Sequence, residues 1–128
     1  MIKPLNQTPK YWLTVDDCEI LFKHFSQKIT FDEPLPPFNT RFPGKLESIL
    51  GSVRQTYAAK HLNPTIVDAA SAYFFQLITG HPFQNGNKRL AILFVHIFLL
   101  SHQLNLNVPT QTVKSIIKES FSKYITAK

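Results

Sequence analysis

The chain has 128 residues, with 14 Lys and Arg against 8 Asp and Glu, a formal charge of +6 and one cysteine, Cys18. That length suits one domain with its own core, a lone cysteine excludes an internal disulfide framework and fits a reducing cytoplasm, and the longest apolar run, Leu90 to Leu100, is broken by His96 and falls well short of a membrane span. Positive charge favours an acidic protein, a nucleotide or a nucleic acid as company, but the basic residues are scattered and no DNA-reading motif occurs, so direct nucleic-acid binding is not expected.

Residues 1–10 read as an extended lead-in, because Pro4 and Pro9 oppose regular structure and no apolar run of signal-peptide length is present. Thr14 with Asp17 three residues on has the form of a helix cap, and Cys18, Leu21, Phe22 and Phe25 continue at helical spacing to about Gln27. Residues 28–43 are a Pro-rich region, with Pro34, Pro36, Pro37 and Pro43 around Phe31, Phe38 and Phe42. No continuous helix survives there. Either the phenylalanines tuck back against the body, or part of the stretch, around Phe38 to Pro43, forms a hairpin-like flap.

Lys45 to Tyr57 carries one apolar stripe and predicts an amphipathic helix. Asn63-Pro64 marks a further helix start, Asn as cap and Pro in the first turn, with the helix running to Thr79 and apolar nearly all round. Lys88 to about Ser101 has the same all-round apolar character. Asn105 to Pro109 then connects to a last amphipathic helix, about Thr110 to Thr126. The expected fold is therefore a single all-α domain over residues 1–128, a compact bundle of about five to six helices centred on the two greasy ones. His24, His61, His96 and His102 have no ligand spacing and read as structural or surface residues.

Between the two apolar helices lies His81-Pro82-Phe83-Gln84-Asn85-Gly86-Asn87-Lys88-Arg89. Gly80 has the place of a helix C′ residue and Pro82 stops the helix, so the chain must turn. A new helix starts near Asn87, and its N-terminal N–H groups and positive dipole end suit an anion. Lys88 and Arg89 carry the wrong sign for ordinary dipole compensation, which makes sense if a phosphate joins them. Gly86 permits close approach or positive φ, Asn87 can cap and touch a phosphate, and Phe83 can pin the loop in the core. His81 is the group with proton chemistry near neutrality. The alternative is a plain helix connection with solvated cations and a capping histidine.

This stretch resembles the signature loop of the Fic/Doc superfamily, His-x-Phe-x-(Asp/Glu)-Gly-Asn-Gly-Arg-x-x-Arg. In the Doc (death-on-curing) toxin branch Lys stands for the second Gly and the last Arg is missing; here Lys88 and Ile92 occupy those positions. Tyr11-Trp12-Leu13-Thr14 with Asp16 and Asp17, and the segment Gly44 to Tyr57, are similar to further pieces of Doc, so that the similarity spans roughly residues 11 to 125.

The resemblance implies a helical Fic/Doc fold in which His81 is the catalytic base and Gly86, Asn87, Lys88 and Arg89 hold the phosphates of ATP. It also implies transfer of the γ-phosphate to a Ser or Thr hydroxyl, in Doc that of elongation factor Tu, which arrests translation. A Fic-type AMP transferase and a non-catalytic phosphate- or partner-binding protein are the alternatives. Where the family anchors Mg²⁺ with a carboxylate, this chain has Asn85, so weakened Mg²⁺ binding is expected, restored by Asn85→Asp. The self-inhibitory Ser/Thr-x-x-x-Glu-Gly/Asn helix of Fic enzymes has no match. Inhibition would therefore come from an antitoxin on a separate chain, an acidic one suiting this basic domain.

Overall fold

The computed structural model describes residues 7–26, 35–107 and 123–127. Helix α1 (Val15–Ser26) starts as its sequence requires. The Asp17 N–H donates to Thr14 Oγ1 at 3.1 Å and the Thr14 N–H donates to Asp17 Oδ2 at 3.0 Å, a reciprocal capping box. Helix α2 (Lys45–Val53) buries Leu46, Ile49, Leu50 and Val53 on one stripe. Helix α3 (Ile66–Gly80) and helix α4 (Asn87–Leu100) pack directly on each other at the centre. Tyr73, Phe74, Phe94 and Phe98, from these two helices, are among the largest fully buried side chains, with Tyr73 edge-on to Phe98 at 5.1 Å. Each such aromatic removes enough apolar surface from water to hold the pair in one arrangement.

The all-α expectation needs correction, because the described residues contain two short antiparallel strand pairs beside four α-helices. The helix expected to reach Tyr57 stops at Val53, and Thr56–Tyr57 (β1) pairs with Lys60–His61 (β2). Tertiary bonds decide this. Asn63 Nδ2 donates to Val53 O at the end of α2, and the Leu62 N–H donates to Gln55 O, which folds the chain back on itself. The two turn residues, Ala58 and Ala59, both have positive φ, 52° and 64°. Such turns favour Asn and Gly, so an Ala-Ala dipeptide gave no hairpin signal. We expect Ala59→Gly to stabilise the domain by about 1 kcal/mol, by removing a left-handed Cβ clash. A urea midpoint that does not rise would count against that geometry.

Asn63 is thus occupied with α2, and the cap of α3 is Thr65, whose Oγ1 accepts from the Asp68 N–H at 3.1 Å. Leu104–Leu106 (β3), expected as connection, pairs with Ile125–Ala127 (β4), expected as the end of the last helix. The alternation of buried Leu104 and Leu106 about Asn105 is a strand pattern, and Ile125 is buried opposite Leu106. The remainder of that expected helix, 110–122, lies outside the described residues, as do residues 1–6 and 27–34 of the lead-in and Pro-rich region. The helix count among the described residues is accordingly four, below the expected five to six.

The N-terminal segment is held by buried side chains. Tyr73 Oη accepts from the Leu13 N–H at 3.0 Å. His102 Nε2 accepts from the Lys10 and Tyr11 N–H groups at 2.9 and 3.3 Å while its Nδ1 lies 2.9 Å from Phe98 O. The second contact requires the proton on Nδ1, leaving Nε2 as the acceptor. His102 is a structural residue, in line with its expected role.

Cys18 is fully buried, and burial, with a smaller contribution from Asp17, pushes its thiol up to about 12. We expect no reaction with a thiol reagent at mildly alkaline pH until the protein unfolds, because the thiolate is the reactive species. The sign for stability follows. The thiol's contribution is complete below its ordinary 9.0 and is lost as pH rises toward about 12, where only the unfolded thiol ionises easily. Cys18→Ala should flatten that alkaline decline in the urea midpoint.

Candidate active site

The segment from Gly80 to Asn87 is bent by two left-handed residues. His81, not Gly80, takes the left-handed position after α3, with φ 47° and ψ 58°. Gly80 remains helical, and a Cβ there would lie 2.8 Å from Ile49 Cδ1, the end of a flexible side chain of α2. Histidine tolerates the left-handed region better than most residues. Gly86, at φ 77°, is the N-cap of α4. Its positive φ favours glycine, and a Cβ on it would displace the side-chain ends of Leu35 and Arg89, 2.3 and 3.2 Å away.

Phe83 anchors the loop. It is 4 % exposed and its ring lies 5.7 to 6.4 Å from those of Phe22, Phe38 and Phe94. Asn87 closes a ring over it: Oδ1 accepts from the Phe83 N–H at 2.9 Å and Nδ2 donates to Phe83 O at 2.8 Å. The side chain expected to cap α4 or touch phosphate is therefore engaged in shaping the loop, and Asn87 contributes its backbone to the helix start. The first ladder bond of α4 runs from the Leu90 N–H to Gly86 O. The N–H groups of Asn87, Lys88 and Arg89 thus precede the ladder.

The Pro-rich segment braces the loop from outside. Phe38–Thr40 is a 3-10 turn, where a hairpin-like flap was one of the two readings. Two prolines just ahead of it favour a tight turn over a strand. The Phe42 N–H donates to Pro82 O at 2.9 Å and Gln84 Nε2 donates to Thr40 O at 3.0 Å. With the Thr40 and Arg41 N–H groups bonded to Pro37 O and Phe38 O, three successive donors are engaged internally. Phe38 is buried, as the tucked-back reading expected, whereas Phe42 is 42 % exposed.

His81, Gln84, Asn85, Gly86, Asn87, Lys88, Arg89 and Ile78 line one open cavity of about 400 Å³. His81 is exposed at its edge, and the volume lies in the range of small-molecule sites. Reading the sequence missed Gln84 and Ile78, which carry no chemical signature and are brought in by the bend. Another cavity, about 300 Å³, is lined mainly by apolar residues such as Trp12, Ile20, Leu21 and Ile97, and its Asp17 already serves the α1 cap.

The same lining tests the expected Mg²⁺. Among the described residues it contains no carboxylate. Asn85 Oδ1 accepts from the Gly86 N–H at 2.7 Å, and a donor neighbour means that the atom facing it is the oxygen, the amide's one metal-ligating atom. Among the described residues no three of His, Cys, Asp and Glu come together to hold a metal ion. A hard dication prefers charged oxygens in octahedral array, so the residues present do not fit a resident Mg²⁺.

A packed pair of apolar helices presents a basic, histidine-bearing loop over the start of the second helix, the framework of a helical domain built around that loop. The Fic/DOC family model matches residues 13–99, more than half of the chain and all of the loop, and the chain belongs to that family. Its members are generally transferases of AMP or phosphate. Comparison with curated proteins and with solved structures gave no match. No helix among the described residues is long and apolar enough to cross a membrane.

Proposed function

We propose that the protein transfers the γ-phosphate of ATP to a Ser or Thr hydroxyl of another protein, as a member of the Doc branch. The observation that carries this reading is the open cavity with the His81 imidazole at its edge and Lys88 and Arg89 in its wall. In the transfer, the imidazole takes the hydroxyl proton as the oxygen bonds to the γ-phosphorus. The bond from that phosphorus to the bridging oxygen breaks, and ADP leaves. Lys88, Arg89 and the N–H groups at the start of α4 offset the charge on the phosphoryl oxygens.

The choice of γ over α rests on position 92. An AMP-transferring site of this family has a second Arg there, and Ile92 cannot hold a phosphate. A translation factor such as elongation factor Tu is the target by resemblance to Doc, and a separate antitoxin chain is the corresponding inhibitor. The test is incubation with elongation factor Tu and ATP labelled at either phosphate. Label from the γ position on the protein supports the reading. Label from the α position makes the protein an AMP transferase, and label from neither reduces it to a phosphate- or partner-binding protein.

A further inference from the structure

Resting on that reading, we infer that this site takes its polyphosphate as the free anion, without a divalent cation. Among the described residues its cavity wall is neutral or cationic, with His81, Gln84, Asn85, Asn87, Lys88 and Arg89 as the polar side chains. A carboxylate at position 85 would repel a polyphosphate unless a dication lay between them. The amide removes that repulsion. Its Oδ1 accepts from the Gly86 N–H, and an uncharged amide oxygen is a poor ligand for a hard dication.

Chelation by Mg²⁺ cancels two of the negative charges of ATP, the charges that Lys88, Arg89 and the positive end of α4 attract. Free ATP therefore gains more from this wall than Mg·ATP does. Partly exposed ion pairs contribute modestly, so the preference is expected at about fivefold in Kd.

The test is isothermal titration of the full chain with ATP, and separately with inorganic tripolyphosphate, in EDTA and in excess Mg²⁺ at matched ionic strength. Tighter binding in EDTA is the expected result, with Lys60→Gln, outside the cavity, keeping the preference. Asn85→Asp should reverse it, since an aspartate can still accept the Gly86 N–H and leave the loop intact. Equal or tighter binding of either ligand in Mg²⁺ by the unmodified protein overturns the inference. So does an Asn85→Asp variant, folded by circular dichroism, that still prefers the free anion, because the preference would then come from net charge alone. Binding only in Mg²⁺ leaves phosphate transfer standing, whereas no binding of either ligand in either buffer overturns both.

Discussion

Replacing His81 with alanine is expected to lower label transfer from γ-labelled ATP by about 10³-fold, the scale of a lost general base. Stability should hardly change. His81 is exposed, and alanine tolerates the left-handed conformation only somewhat less well than histidine, so the unfolding free energy should fall by no more than about 1 kcal/mol. ATP affinity should also persist, because Lys88, Arg89 and the start of α4 are untouched. Unchanged transfer in this variant would remove the imidazole from the chemistry, and a loss of ATP binding would show that it holds phosphate instead.

Phe83→Ala should act through the fold. The ring is 4 % exposed among Phe22, Phe38 and Phe94, and deleting a buried Phe costs about 3 to 5 kcal/mol. In a domain of this size that lowers Tm by about 10 °C or more. Transfer should fail even at temperatures where the variant is folded, because Phe83 and the Asn87 clamp together hold His81 against the start of α4. Phe83→Leu should lie between the two. A Phe83→Ala protein with native Tm would mean that the loop is held by the Pro82 and Gln84 hydrogen bonds alone.

Legibility varied with how local the deciding interaction was. Thr14 and Asp17 meet within one helical turn, so the capping box was readable from their spacing. The start of α4 was readable because Gly86 and the apolar run after it are contiguous. Asn63 looked like a cap and is not one, since its amide reaches across to Val53 O. Ala58 and Ala59 favour helix by propensity and are held in a turn by strand pairing. The partners β3 and β4 are separated by a long stretch of chain, which no local window connects.

The order of side chains alone determined that two apolar helices must bury one another, that a loop carrying one imidazole and two cations must join them, and that position 85 lacks a carboxylate. Those follow from hydrophobic period and from residue type. Tertiary structure decided the rest: the left-handed conformation falls on His81 and not on Gly80, and the Asn87 amide clamps Phe83. Asn85 turns its oxygen onto Gly86. Each of these depends on which partner reaches a hydrogen-bonding or packing position first in space, and that is a property of the folded arrangement.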